Sequence, residues 1–168
     1  MIFHRMEGCR MRTLSLTLLT LLLSASVVAA EQPHRVWLKY LAGSWKYDNG
    51  QGGGGEFEWK LVAGGNALIG AGKTSNGIED AWAFGWDAKE LSIVSDWFTA
   101  ADQHAQVSYR IVDDKTISGP AVVTEVSGVT KATVTVKRVS DNEYTVHWTN
   151  MTVNGTKADD LKLVVSRK

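Results

Sequence analysis

From Glu56 to the C-terminus, apolar and polar positions alternate in short runs. Phe57, Trp59 and Leu61 alternate with Glu56, Glu58 and Lys60, and Trp82, Phe84 and Trp86 with Ala81, Ala83 and Gly85. Leu91, Ile93 and Trp97 recur at even spacing, and Val107, Tyr109 and Ile111 alternate with Gln106, Ser108 and Arg110. Ala132, Val134 and Val136 face opposite Lys131, Thr133 and Lys137. Tyr144, Val146 and Trp148 alternate with Glu143, Thr145, His147 and Thr149, and Leu161, Leu163 and Val165 end the chain. A period of two sets one face of a strand against a core and leaves the other in water. Asn66 to Thr74 is glycine-rich but compatible with a strand, and Thr116 to Val126 is a longer β-rich segment in which Gly119-Pro120 marks a bulge or an edge.

Turn signals separate the runs. The glycine-rich stretch from Asn49 to Gly55 reads as a flexible hairpin tip, Asp113-Asp114-Lys115 and Ser140-Asp141-Asn142 as turns, and Asn154-Gly155 as a tight turn. A helical pattern occurs once before them, over Arg35–Leu41, where Val36, Trp37, Leu38 and Leu41 are apolar; it predicts a short helix over one end of the domain. About nine or ten strands follow with no helix between them, which excludes parallel crossovers. A meander of that length closes on itself and so removes its exposed edges. The expected fold is all-β, an antiparallel up-and-down barrel of about 8–10 strands with a short N-terminal helix; a β-sandwich is its competitor.

The first thirty residues do not share this pattern. Leu14 to Val28 is apolar apart from Ser and Thr, Arg10 and Arg12 precede it, and Val28-Ala29-Ala30 supplies small residues for cleavage. That is a secretory signal over residues 1–30, with Met11 an alternative start, followed by one domain over residues 31–168. The apolar run falls short of the about 20 residues of a membrane span, so no stable span is expected after cleavage; an uncleaved anchor is the other reading. The expected location is periplasmic or secreted.

Composition narrows the function. Beyond residue 30 there are 15 basic and 17 acidic side chains, which is nearly neutral and unlike the basic footprint of a nucleic-acid binder. The single cysteine, Cys9, precedes the apolar run, so the expected domain has no disulfide, thiol nucleophile or cysteine metal site, and the position does not suit a lipoprotein.

Candidate chemistry centres on the aromatic residues. Trp45, Trp59, Trp82, Trp86, Trp97, Trp148, Phe57, Phe84, Tyr109 and Tyr144 mostly fall on the inward phase of their strands. They either line a cavity for a small ligand or fill the barrel as core. As a binding site, the expected lining is Trp59, Trp82, Trp86, Trp97 and Tyr109. Asp96, Asp102 and His104 lie close together in sequence and read as a metal or acid/base cluster or as a solvated loop, with no spacing that matches a ligand signature. Glu56 and Glu58 are carboxylates on one strand face, more simply a wet face than a glycosidase pair. His147 is out of phase with Val146 and Trp148, hence outside; His34 is expected to be mobile. Asn150 and Asn154 begin glycosylation sequons, relevant only in a eukaryotic host. No nucleophile elbow, phosphate loop or dinucleotide fingerprint is present, so no metal, cofactor or catalytic residue is expected.

Leu41-Ala42-Gly43-Ser44-Trp45 places a Gly-x-Trp on the first strand after a helical lead, and Phe84-Gly85-Trp86-Asp87 follows Leu68-Ile69-Gly70. In these motifs the chain resembles the lipocalin-like, calycin-type barrels, and is similar to uncharacterised lipocalin-like domains of exported bacterial proteins. The resemblance implies a barrel whose first-strand tryptophan, Trp45, plugs the closed end, and no established reaction. The expected function is an exported barrel binding a small apolar or amphipathic ligand. The alternatives are a small enzyme using a barrel pocket, with His104 and Asp102 as acid/base, and an envelope protein-interaction module.

Overall fold

Pro33 opens the first element of the structure, a computed structural model that describes residues 31–168; the apolar run from Leu14 to Val28, Cys9 and the expected cleavage after Ala30 lie outside the described residues. Proline suits the first helical position because its missing N–H has no intrahelical partner there. Helix α1 (Pro33–Leu41) therefore starts two residues before the apolar pattern suggested. It buries His34, Trp37, Leu38 and Leu41, at the i, i+3, i+4, i+7 spacing of one helix face, while Val36 stays exposed.

The rest is strand. The elements are β1 (Gly43–Asp48), β2 (Gly54–Val62), β3 (Ala67–Thr74), β4 (Glu79–Asp87), β5 (Ser92–Thr99), β6 (His104–Ile111), β7 (Thr116–Glu125), β8 (Gly128–Ser140), β9 (Glu143–Val153), β10 (Thr156–Lys157) and β11 (Leu161–Arg167). Every neighbouring pair is antiparallel. The order runs from β1 through β9 to β11, which pairs back onto β1 with Trp45 opposite Arg167. Ten strands thus close into one barrel, and the two-residue β10 only extends the β9 hairpin. Closure removes the sandwich alternative and leaves no long edge. No helix of the described residues is long and apolar enough to cross a membrane.

Helix α1 seals one end. Tyr40 donates its hydroxyl to the carbonyls of Ser140 (3.0 Å) and Glu143 (2.9 Å), tying the helix to the β8–β9 turn. Arg167, at the end of β11, donates to the carbonyls of Ala42 and Tyr40 (both 2.9 Å) and of Asp141 (3.0 Å). The first two are helix C-terminal carbonyls that lack an intrahelical donor, where a cation also suits the helix dipole, and the third belongs to the β8–β9 turn. Beneath lie Trp45, Leu38, Leu68, Ile93, Ile117, Val134 and Val165, all completely or nearly completely buried.

Two sequence expectations change. Gly119-Pro120 is neither a bulge nor an edge: Val107↔Ala121 and Arg110↔Ser118 keep one register across it, and Pro120 sits on a strand paired on both sides. Gly119 is there because the backbones approach closely; a Cβ would lie 1.8 Å from the Ser108 carbonyl oxygen. His34 is fixed rather than mobile, 4% exposed and stacked on Trp86 with ring centroids 4.3 Å apart.

Candidate ligand-binding cavity

Cross-strand register decides which rings meet. Trp82 lies opposite Gly70 on β3 and Trp97 on β5, and Trp97 lies opposite Ala105 on β6. Gly70 is covered by the Trp59 indole from β2; a Cβ there would come within 2.5 Å of that ring. Trp59 then packs on Phe57, Trp82 and Phe84 at centroid distances of 5.8, 5.3 and 4.8 Å. Trp82 stacks on Trp97 (6.4 Å) and Phe84 on Tyr109 (6.0 Å). The rings therefore form a continuous aromatic wall over β2, β4, β5 and β6. The far wall is mixed, with Val123, Val136, Val146, Leu161 and Leu163 beside Tyr144 and Trp148 of β9.

Between the walls lies a cavity of about 470 Å³, a size typical of small-molecule pockets. Its floor is Leu41, Tyr144 and Val165, under α1; Asn49, Gln103 and Glu125 stand at the other end, where the Gln103 amide donates to Glu125 (2.9 Å). The rings both line this space and pack on one another as core.

Of the expected lining, Trp59, Trp82, Trp97 and Tyr109 come together at this cavity. Trp86 does not. It shares their phase, but it lies at the sealed end of β4, and its ring stacks on His34 of α1 instead. Asp96, His104 and Gln106 form a network on the outer face: Asp96 Oδ1 is 3.0 Å from both His104 Nε2 and Gln106 Nε2, and these two contacts, Gln106 first, hold the Asp96 carboxyl below its usual range. His104 stacks on Phe98 there, and the exposed Asp102 takes no part. Glu56 pairs with Lys168 on the same wet side. Among the described residues no His, Cys, Asp and Glu side chains group to hold a metal, and no hydrogen-bonded nucleophile–base pair lies in the cavity.

The polar group that matters most was absent from the expected site. Asp80 stands two residues before Trp82 on the same inward phase, lines the cavity and is 7% exposed. Its Oδ1 has no hydrogen-bond partner, and neither do the buried indole nitrogens of Trp59 and Trp97. Burial pushes the Asp80 carboxyl up to about 6; the nearby Trp97 indole and Gly72 amide pull the other way without hydrogen-bonding geometry good enough to satisfy Oδ1. Burial also raises the phenols of Tyr109 and Tyr144, which stay neutral, and that of Tyr47, with Asp80 adding to the last.

A pH dependence follows with a definite sign. The folded barrel holds a proton on Asp80 at pH values where the unfolded chain has lost it. This contribution is complete below about pH 4 and disappears as pH rises through about 6. Asp80→Asn is therefore expected to stabilise the empty barrel by about 1–3 kcal/mol at neutral pH and far less at low pH. Urea unfolding of both proteins on each side of the window checks it, and an equal difference at both pH values would contradict it.

No protein-family model matches the chain, and no curated protein matches it. Among solved structures, that of EF1p2_mFAP2b bound to DFHBI aligns with 82% of this chain and 100% of that one, at 12% identity and a TM-score of 0.40, too distant to bear on the ligand.

Proposed function

We propose that this chain is an exported, periplasmic or secreted barrel of lipocalin-like kind that binds a small apolar or amphipathic molecule within its interior. The observation that carries this is the hollow of about 470 Å³ bounded by aromatic and aliphatic side chains. Each Å² of apolar guest surface withdrawn from water there contributes roughly 25 cal/mol. The floor is sealed by α1 and Arg167, so a guest enters past Asn49, Gln103 and Glu125. Export rests on the basic flank, apolar run and small-residue exit of residues 10–30.

Titration with fatty acids, haem and naphthalenemethanol, followed by calorimetry and tryptophan emission, tests the binding. At least one is expected to bind below millimolar concentration, one molecule per chain, and to shift the emission, because Trp59, Trp82 and Trp97 all face the guest. Binding of none of them would refute the carrier function.

A further inference from the structure

We propose that the ligand of this cavity carries a protonated amine, and that Asp80 holds the ammonium against the aromatic wall near the mouth. This deepens the carrier function above and rests on it. Asp80 is placed for contact with a guest, at the start of β4 and facing inward. Gly72, across on β3, makes room for its carboxyl: a Cβ there would stand 2.9 Å from Asp80 Oδ1 and 2.7 Å from Phe57 Cβ.

Among the described residues no cation answers this carboxylate. Lys73, the neighbour of Gly72, lies on the opposite phase and pairs outside with Glu79 at 3.8 Å. The groups that face Asp80 are Tyr47 from β1, Phe57 from β2, Gly72 from β3 and Trp97 from β5; the phenol, at the far end of the pH scale, is the one titratable group among them. Glu125 and Gln103 stand further along the mouth. A buried carboxylate with an unpaired oxygen works against folding, whereas an uncharged residue of like size would not. An incoming ammonium removes that penalty.

The surroundings favour a cation in a second way. Faces of Trp, Tyr and Phe rings attract positive charge through their quadrupoles, and Tyr47, Phe57, Trp82 and Trp97 line this part of the cavity. The strand ends and loops around the mouth carry Asp48, Glu79, Asp102, Glu125, Asp159 and Asp160 against Lys73, Lys157 and Lys162. Such a rim draws cations and repels anions before contact. An amine with an apolar body thus fits both parts of the hollow: the body lies on the walls and the ammonium on Asp80. Since the carboxyl must ionise to receive it, affinity for an amine rises as pH passes about 6.

Three probes with one ring system separate charge from apolar fit: naphthalenemethylamine, naphthalenemethanol and naphthoate, titrated calorimetrically into the protein at neutral pH. The amine is expected to bind about ten-fold or more tighter than the alcohol, and the acid weakest. Asp80→Asn is expected to abolish the preference, so that the variant binds amine and alcohol alike; a retained ten-fold preference for the amine in the folded variant would overturn the role of Asp80. At about pH 5 the wild-type preference for the amine shrinks. If amine and alcohol bind alike in the wild type, or the acid binds best, the role of Asp80 is refuted while the carrier stands. If none of the three binds below millimolar concentration, the role of Asp80 is refuted, and the carrier function falls with it only when fatty acids and haem fail as well. Should Asp80→Asn not fold, the comparison of the three probes on the wild type decides.

Discussion

Trp45→Ala is expected to destabilise the barrel by about 3–5 kcal/mol, the range for truncating a large aromatic side chain in a core. Trp45 has no exposed surface, and its indole N–H donates to the Leu41 carbonyl at 2.8 Å. The Arg167 guanidinium lies 4.2 Å from the ring centroid, and Tyr144 meets the ring edge-on at 4.9 Å. Alanine removes all of these at once. The Leu41 carbonyl loses its side-chain donor, the guanidinium loses the ring on which it rests, and a cavity opens between α1 and the strands. Against a total stability of about 5–15 kcal/mol, such a loss takes away a large part of the fold. Urea denaturation measures it, and a change below about 1 kcal/mol would show that Trp45 does not plug the sealed end.

The burial of Trp45 at the sealed end was legible because Gly-x-Trp after a helical lead is a local pattern, the one on which the resemblance to calycin-type barrels rests. So was most of the fold. Alternation of period two marks inward and outward faces without knowledge of the partners, and it correctly put Trp59, Trp82, Trp97 and Tyr109 inside and His147 outside. Phase does not report height along the barrel, which is why Trp86, on the same alternation, ends against His34 and away from the cavity. Height depends on which residues pair across strands, and pairings such as Trp45↔Arg167 join the two ends of the domain. The role of Arg167 was invisible for the same reason.

Local backbone breaks hid other members of the lining. Asn150 adopts a left-handed conformation (φ 55°), so the alternation after Trp148 resets and Met151 reaches the cavity. The β8–β9 pairing also shifts register between Lys131 and Thr133. Asp80 did have a signal. It sits two residues before Trp82, an acid on an otherwise aromatic phase, and extending that strand by one residue exposes it. The nearby cluster of Asp96, Asp102 and His104 drew attention by sequence proximity, yet antiparallel pairing puts Asp96 and His104 on the wet face and Asp102 in the β5–β6 turn.

Filling the hollow is the second change expected to have a large effect. Ala105 is 2% exposed, lines the cavity from β6, and lies between Trp97 on β5 and Val123 on β7. An indole at this position, in Ala105→Trp, projects inward from the mouth end of β6 into the space a guest would occupy. Val123→Trp enters the same space from the next strand and serves as an independent second case. Each is expected to weaken guest binding by about a hundred-fold or more, because the guest loses both walls, while the sealed end keeps its plug and the barrel its closure.

The most direct test of the account is a calorimetric titration of naphthalenemethanol into the wild type and these two filled barrels, each first shown to unfold cooperatively in urea. The hollow interior as binding site predicts saturable binding below millimolar concentration in the wild type and its loss in both variants. Binding of equal strength in the folded, filled barrels would contradict it and place the guest outside the cavity.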